Sequence, residues 1–180
     1  MRITGGELLG RKVQVPGGII RPAMDRMRES FFAVLGDLSG LSFLDLFSGS
    51  GIIALEAASR GAEYIEAVEK DPLKRNTLLE NIKISPVRIN CRFMSVELYV
   101  KRAKRPFDII FCDPPFPYKY KWELLQSIET SPLLKEGSRL LLHRPREDFP
   151  ALTFNNLTLD ESREYGRSKV DFFQFFCSKN

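Results

Sequence analysis

Apolar and polar residues follow two alternating patterns along the chain, and these patterns predict strands and helices in turn. Short apolar runs at 42–47, 64–69, 87–93, 107–112 and 138–143 are typical of buried strands. Between them, apolar residues recur at helical spacing over 50–60, 71–85, 95–104 and 119–130. Strands that alternate with helices in this way form a parallel sheet with helices on both faces, so the sequence predicts an α/β fold.

The two ends of the chain depart from this alternation. Apolar runs at Leu152–Leu159 and Val170–Cys177 are bridged by a polar stretch containing Gly166, which predicts an antiparallel hairpin at the sheet edge. Residues 1–24 set a few apolar side chains among glycines, which predicts a short arm or hairpin before a helix capped by Asp25. We therefore expect an arm at 1–24 and, at 25–180, a domain with a mostly parallel seven-stranded sheet.

The stretch Phe43–Ile53, FLDLFSGSGII, predicts a strand, a tight turn and the start of a helix. Glycines let the backbone of such a turn approach a ligand closely, and the first N–H groups of the helix face the same space. Gly49, Gly51 and Ala54, with Glu69 further along, nearly fit the dinucleotide-binding pattern. Binding of a nicotinamide dinucleotide is therefore one interpretation of the turn, and a purely structural turn is another.

Binding of S-adenosylmethionine (AdoMet) is a third interpretation, because AdoMet sites follow the pattern D-x-F-x-G-x-G. Asp45, Phe47, Gly49 and Gly51 stand at the fixed positions of this pattern. AdoMet carries a positive α-amino group and a positive sulfonium, and a carboxylate at a strand end suits these charges. Glu69, at the end of the second predicted strand, could accept both ribose hydroxyls. We favour AdoMet over the other two interpretations.

The sequence Asp113-Pro114-Pro115-Phe116 follows the fourth predicted strand. Two consecutive prolines stop a strand abruptly and leave the Pro114 carbonyl free to face the cleft. The Asp113 oxygen and this carbonyl would form two adjacent acceptors, which match a planar exocyclic amine. Phe116 offers an aromatic face on which a base can stack. Holding both amine hydrogens would direct the nitrogen lone pair at a methyl donor. A loop that merely ends the strand is the alternative.

The composition of the chain bears on its cellular compartment and on metal binding. The cysteines Cys91, Cys112 and Cys177 are odd in number and far apart, which predicts reduced thiols in a cytoplasm and no zinc site. His143 is the single histidine, and it follows an apolar run, so we interpret it as a strand-end residue rather than a catalytic one. No apolar run approaches a membrane span, and the N-terminus lacks the apolar core of a signal peptide. We expect a monomer without bound metal.

Basic residues concentrate near the N-terminus of a chain whose net charge is +4. Within residues 2–28 six basic side chains face two acidic ones, and Arg11, Lys12, Arg21 and Arg26 are the candidates for contacts with RNA phosphates. A solvated arm that only covers the sheet is the alternative. A second basic run, 101–105, ends a predicted helix, where cations complement the helix dipole, so we assign it to solvent.

In these motifs the chain closely resembles the bacterial 16S ribosomal RNA guanine-N2 methyltransferases of the RsmD type. The resemblance covers nearly the whole chain and rests on RITGGELLGRK, RPAMDRMRESFF, LDLFSGSG, VEKD, DPPF and EYG. It implies a Rossmann-like class I AdoMet-dependent methyltransferase fold, with 16S rRNA, the small ribosomal subunit or an assembly intermediate as partner. It further implies that Asp113 and Pro114 receive the guanine amine. Ala23 departs from the family, which usually has threonine at that position.

The same resemblance implies which residues hold the cofactor. Asp45, Gly49 and Gly51 would line the AdoMet site, and Glu69 would hold the ribose. Ser95 stands where the family often has aspartate or asparagine for the adenine amine, so we expect backbone groups to help bind the adenine.

Three other functions compete with this hypothesis. A methyltransferase of the same fold could act on DNA adenine or on a protein glutamine amide, since related Asn-Pro-Pro sites do so; the basic arm and the lack of a DNA-reading domain favour RNA. A nicotinamide-dependent oxidoreductase would leave the Asp-Pro-Pro turn unused. An RNA-binding protein without catalysis would not require Asp113.

Overall fold

A computed structural model of the chain describes residues 1–15, 22–149 and 152–177, and its elements follow the predicted order. The strands are β1 (Ser42–Leu46), β2 (Tyr64–Val68), β3 (Ile89–Arg92), β4 (Ile109–Cys112), β5 (Arg139–Pro145), β6 (Leu157–Tyr165) and β7 (Ser168–Phe175). The helices are α1 (Pro22–Leu35), α2 (Ile52–Ser59), α3 (Pro72–Asn81), α4 (Val96–Arg102) and α5 (Lys121–Glu129), and a 3-10 turn, Ile82–Ile84, follows α3.

The strands of the described residues form one sheet in the order β3-β2-β1-β4-β5-β7-β6. Neighbours from β3 to β5 pair in parallel, whereas β7 pairs antiparallel with both β5 and β6. The predicted Rossmann-like sheet with an antiparallel C-terminal hairpin is thus confirmed. The strand order reverses direction between β1 and β4, where Leu46 pairs with Cys112. In sheets of this kind ligands bind outside the carboxyl ends of the strands at such a point.

Two predicted boundaries are wrong for physical reasons. The first helix begins at Pro22, before the predicted cap Asp25, because proline is favoured at the first helical position. Asp25 lies in the first turn and forms an ion pair with Arg28. The strand predicted from Leu152 begins at Leu157 and continues to Tyr165. β6 lies at the edge of the sheet, so its polar second half can pair with β7 while Ser162 and Glu164 stay exposed to solvent.

The region of α3 shows one confirmed prediction and one error. Asp71 caps the helix by accepting a hydrogen bond from the N–H of Leu73 at 3.0 Å, and Pro72 occupies the first turn. Leu78 on this helix is buried, whereas the neighbouring Leu79 is 37% exposed. The α-helix stops at Asn81 because a tighter 3-10 turn leads into the Ser85-Pro86 pair.

The N-terminal arm forms a small hairpin that packs on the α/β layers. Arg2 and Lys12 form an antiparallel bridge, and Ile3 and Val13 are buried in the same apolar core as α1 and α2. Its polar contacts reach Glu56 and Ser59 on α2 and Asn81 on α3. The boundary after residue 24 stays a prediction, because residues 16–21 lie outside the described part of the chain.

Candidate active site

The turn after β1 depends on an unusual backbone conformation at Phe47. Its φ of 64° lies in the left-handed region, and no other non-glycine residue in the described ranges has a positive φ. This conformation costs energy for a residue with a Cβ and persists only where the surrounding structure requires it. The Phe47 ring packs edge-on against Tyr118, with ring centroids 5.5 Å apart. Phe47 therefore ties the turn to the segment that follows β4.

The two glycines of the turn serve different purposes, although both have positive φ, 56° at Gly49 and 78° at Gly51. A Cβ on Gly51 would lie 2.4 Å from Cδ1 of Leu78, so α3 packs directly on the backbone there. A Cβ on Gly49 would meet nothing closer than the Phe47 carbonyl oxygen at 4.0 Å. Packing requires the glycine at 51, whereas the glycine at 49 leaves open space beside the turn where a ligand can approach.

Asp45 lies near the carboxyl end of β1, and its side chain is buried. Its Oδ2 accepts a hydrogen bond at 3.2 Å from the N–H of Ala54, in the first turn of α2. Its Oδ1 is buried and has no hydrogen-bond partner within the described part of the chain. A buried carboxylate oxygen without a partner is costly, and a cationic ligand nearby would reduce that cost. Asp45 therefore fits a site for a cationic ligand.

Glu69 directly follows β2 and is buried, and its carboxylate connects two backbone segments. Oε2 accepts the N–H of Gly49 and Oε1 accepts the N–H of Asp71, each at 2.8 Å. Each carboxylate oxygen has a further lone pair, so both can also accept a ribose hydroxyl. Sequence reasoning placed Glu69 correctly after its strand but missed its bond to the glycine turn, since 20 residues separate the partners.

Three carboxylates, those of Asp45, Glu69 and Asp113, influence one another at this edge of the sheet. Burial raises the pKa of Asp45 well above its ordinary value of 3.8, and the charges of Asp113 and Glu69 raise it further. Such a field attracts a cationic ligand and repels the pyrophosphate of a dinucleotide. The Gly49 N–H, which could serve a pyrophosphate, already donates to Glu69. The residues present thus fit AdoMet better than a dinucleotide.

The Asp113-Pro114-Pro115-Phe116 segment leaves β4 beside the glycine turn. The N–H of Asp113 donates to the carbonyl of Leu46 at 3.2 Å, so the segment starts level with the end of β1. Among the described residues, no hydrogen-bond donor contacts the Pro114 carbonyl, which remains available as an acceptor. The Phe116 side chain is 41% exposed, as expected of a ring that could stack on a base.

Two cavities flank this segment. One of about 380 Å³ is bordered by Phe116, Lys119, Trp122 and Phe149. The other, of about 570 Å³, lies between α4 and α5. Neither cavity is lined by Asp45, Glu69 or Asp113, but the smaller one is lined by Phe116, which belongs to the same segment as Asp113. We therefore associate the smaller cavity with the candidate active site.

His143 is the residue that sequence reasoning undervalued. It lies on β5, and its Nδ1 is 2.7 Å from Oδ1 of Asp113. Its ring also packs edge-on against Phe116, with centroids 5.5 Å apart. Cys112 and Leu142 are partners in the sheet, so the residues that follow them, Asp113 and His143, are neighbours. Each of the two follows an apolar strand run in the sequence, and this shared position was the signal that could have paired them.

Ser95 has a structural role that the sequence-based prediction did not include. Its Oγ accepts a hydrogen bond at 3.3 Å from the N–H of Leu98, so it caps the N-terminus of α4. This capping explains the choice of serine at the start of the helix. Contact with an adenine stays a prediction.

The candidate RNA-binding residues of the arm differ in their exposure to solvent. Arg11, Lys12 and Arg26 are exposed, and Arg21 lies outside the described residues. Arg28, which was counted in the local excess of charge, is buried in ion pairs with Asp25 and Glu56 and is not available to RNA.

The second basic run begins in the last turn of α4, which contains Lys101 and Arg102. The guanidinium carbon of Arg105 stacks 3.7 Å from the ring centroid of Tyr64, the first residue of β2. This end of the run is therefore at the amino edge of the sheet, away from the three carboxylates.

Neither a metal site nor a membrane-spanning helix is present in the described ranges. Among these residues, no group of three or more histidine, cysteine, aspartate or glutamate side chains is arranged to hold a metal ion. None of the helices in these ranges is long and apolar enough to span a membrane. Cys91, Cys112 and Cys177 are free thiols.

Comparisons with known proteins agree with this geometry. Residues 1–174 match the family described as "Conserved hypothetical protein 95". The Bacillus subtilis protein named "Putative rRNA methyltransferase YlbH" is 30% identical, over 97% of this chain and 98% of its own. Escherichia coli "Ribosomal RNA small subunit methyltransferase D" is 29% identical, over 97% of this chain and 89% of its own. The solved structure "Putative methyltransferase yhhF from Escherichia coli" superimposes with a TM-score of 0.86 at 28% identity and covers 98% of both chains.

Proposed function

The chain belongs to the RsmD-type methyltransferase family described as conserved hypothetical protein 95, and we propose that it methylates the N2 amine of a guanine in 16S ribosomal RNA with AdoMet as donor. The observation that carries the proposal is the meeting of Asp45, Glu69 and Asp113 beside an open glycine turn and a free proline carbonyl.

The cofactor half of the proposal uses the residues at the ends of β1 and β2. AdoMet supplies, when bound, a methyl group attached to a positively charged sulfur. A cation beside the buried Oδ1 of Asp45 would stabilise the ionised carboxylate that burial disfavours, so this position would favour AdoMet over a neutral or anionic ligand. Glu69 would accept the ribose hydroxyls with its remaining lone pairs, and the space beside Gly49 would let the ligand approach the backbone.

The substrate half uses the segment after β4. A guanine amine is a weak nucleophile because its lone pair is delocalised into the ring. Asp113 and the Pro114 carbonyl would each accept one amine hydrogen, which holds the nitrogen in an orientation suited to attack. Methylation releases one of those hydrogens as a proton, and the Asp113 carboxylate is placed to receive it. Phe116 would stack on the base.

RNA binding in this proposal rests on the N-terminal arm and on the family resemblance. The exposed side chains Arg11, Lys12 and Arg26, together with Arg21, would contact phosphates and so position the RNA without reading its sequence. The choice of small-subunit RNA is supported by the E. coli relative named ribosomal RNA small subunit methyltransferase D. The choice of guanine rests only on the resemblance to the RsmD-type family. The substrate would be 16S RNA, the small subunit or an assembly intermediate.

A methyl-transfer assay tests the proposal. The protein is incubated with AdoMet labelled in the methyl group and with small-subunit RNA, assembled subunits or assembly intermediates from a bacterial strain that lacks the matching methyltransferase. Mass spectrometry of the digested RNA should then identify labelled N2-methylguanosine. Labelled N6-methyladenine would instead overturn the choice of guanine, and absence of label from all three substrates would overturn methylation of ribosomal RNA.

Ligand binding separates the proposal from the oxidoreductase hypothesis. AdoMet and its demethylated product should each raise the melting temperature of the protein, because they bind the folded state only. NAD should leave the melting temperature unchanged, since its pyrophosphate would meet the charges of Asp45, Glu69 and Asp113. Stabilisation by NAD and not by AdoMet would favour the oxidoreductase.

A further inference from the structure

The contact between His143 and Asp113 joins two adjacent parallel strands at their carboxyl ends. Cys112 on β4 pairs with Leu142 on β5, so the residues that follow them lie side by side. His143 Nδ1 and Asp113 Oδ1 are 2.7 Å apart, a short distance for a nitrogen–oxygen hydrogen bond. The histidine side chain is 7% exposed and the aspartate side chain 28%, so the histidine approaches the acid from the protein interior.

The hydrogen-bonding chemistry of the pair indicates the tautomer of the imidazole. An ionised carboxylate has no hydrogen to donate, so Nδ1 must carry the proton in this bond. The other ring nitrogen, Nε2, is buried and has no hydrogen-bond partner among the described residues. An imidazole kept only for packing would not need a polar atom in that position, and an apolar side chain would avoid its cost. The bond to Asp113 is therefore the chemical reason for a histidine here.

The same imidazole contacts both parts of the proposed guanine site. Its ring packs edge-on against Phe116 with an interplanar angle of 63°, while Nδ1 holds Asp113. Within the described residues, Asp113 has no other side-chain hydrogen bond. Without His143 the carboxylate could rotate freely about its side-chain bonds, and its acceptor would no longer be fixed relative to the Pro114 carbonyl.

We propose that His143 is a positioning residue for methyl transfer: its Nδ1–H occupies Oδ1 of Asp113 and thereby directs Oδ2 to the target amine. Asp113 then offers one acceptor and the Pro114 carbonyl offers the second, which matches the two hydrogens of an exocyclic amine. The packing of the imidazole against Phe116 fixes the stacking ring relative to these acceptors. This inference rests on the proposed function, because it assigns the role of His143 in that same site.

Three substitutions separate the hydrogen bond from the bulk of the ring. His143→Asn keeps an N–H donor close to the position of Nδ1, His143→Gln places its amide near Nε2, and His143→Leu has no donor. If the role is positioning, kcat should fall in the order wild type, Asn, then Gln and Leu. The last two should lose roughly a hundredfold, because small misplacements of a reacting group have effects of this size.

The split between kinetic parameters distinguishes positioning from a general loss of structure. The KM for RNA and the Kd for AdoMet should stay close to wild-type values in the Asn and Gln variants, since the lost contact orients the amine and does not bind either ligand. Equal kcat values for Asn and Gln, or a loss confined to KM, would overturn the inference. The comparison uses two polar side chains, so it stands even if the Leu variant fails to fold.

A spectroscopic measurement tests the inference independently of activity. His143 is the single histidine of the chain, so nitrogen-15 NMR of histidine-labelled protein reports on this residue alone. The spectrum should show a proton on Nδ1 in the wild type, and the Nδ1 signal should shift in Asp113→Ala. Protonation at Nε2 alone would overturn the inference. If the wild type methylates no RNA, the proposed function fails, and the NMR result still decides whether the imidazole donates to Asp113.

Discussion

The carboxylate of Glu69 accepts a hydrogen bond from the backbone N–H of Gly49 at 2.8 Å. The acid after β2 and the glycine turn after β1 are therefore one structural unit, although 20 residues separate them in sequence. This bond holds the turn in the conformation that leaves the space beside Gly49 open. It also places the acid where the proposed site requires an acceptor for the ribose.

Replacement of Glu69 by alanine should weaken AdoMet binding. The variant loses the acceptors for two hydroxyls, so calorimetry should show a loss of about 1.5–3 kcal/mol of binding free energy. The N–H groups of Gly49 and Asp71 also lose their partner, so the free energy of unfolding should fall by about 1 kcal/mol.

The control for this variant is Asp71→Ala, which removes the cap of α3. It should cost about 1 kcal/mol of stability but leave AdoMet affinity nearly intact. Wild-type affinity in Glu69→Ala would show that the ribose assignment is wrong.

Asp45 should make stability depend on pH in a particular direction. Burial, with the charges of Asp113 and Glu69, raises its pKa above 3.8, so the folded state keeps a proton that the unfolded state releases. This contribution to stability is complete below the unfolded pKa of 3.8 and is lost as pH rises through the folded pKa.

The measurement is urea denaturation of the wild type and of Asp45→Asn across this pH range. The Asn side chain keeps an acceptor for the N–H of Ala54 but has no proton to lose. The free energy of unfolding of the wild type, relative to the variant, should fall with a slope of up to about 1.4 kcal/mol per pH unit. Parallel curves would mean that Asp45 has an ordinary pKa in the folded protein.

Alanine should affect stability and AdoMet affinity differently at the two glycines of the turn. Both variants strain a left-handed backbone, at a cost of about 1–2 kcal/mol. Gly51→Ala should lose a further 1–3 kcal/mol or so of stability, because its Cβ would overlap Leu78. Gly49→Ala should keep more stability and lose more AdoMet affinity, since its Cβ enters the proposed ligand space. Comparing unfolding and binding free energies for the pair tests this, and normal AdoMet affinity in Gly49→Ala would place the ligand elsewhere.

Charge reversal of the arm should weaken RNA binding. The double variant Arg11→Glu, Lys12→Glu should lower RNA affinity and reduce its salt dependence by about one unit of slope for each lost phosphate contact. Reversal of Arg102 and Lys104 makes the same change of charge at the amino edge of the sheet and should have much less effect. Arg105 is left intact because it stacks on Tyr64. Greater loss in the second variant would place the RNA on the opposite face.

Local patterns were sufficient to predict the sheet, its hairpin and the position of the glycine turn. Each of these depends on residues close in sequence: the apolar runs, the glycines at 49 and 51, and the Asp71-Pro72 pair that starts α3. The second half of β6 could not be found this way, because a polar edge strand lacks the apolar pattern of a buried one.

The contacts between distant residues were the part that sequence could not supply. His143 was interpreted as a strand-end residue because it follows an apolar run, whereas the sheet register brings it to Asp113, which lies 30 residues away in sequence. The burial of Arg28 was missed for the same reason, since its partner Glu56 lies on another helix. The count of basic residues in the sequence therefore overstated the positive charge that the arm can offer to RNA.

The account depends most directly on Asp113, and its substitution by alanine is the decisive measurement. Single-turnover transfer from labelled AdoMet to RNA, with both saturating, compares the wild type with Asp113→Asn and Asp113→Ala. Asp113→Ala should lose at least about a hundredfold in rate while its AdoMet affinity changes little, because it loses an acceptor for the amine and not a cofactor contact. Asp113→Asn, which keeps one acceptor oxygen, should lie between them. A wild-type rate of transfer by Asp113→Ala would contradict the account.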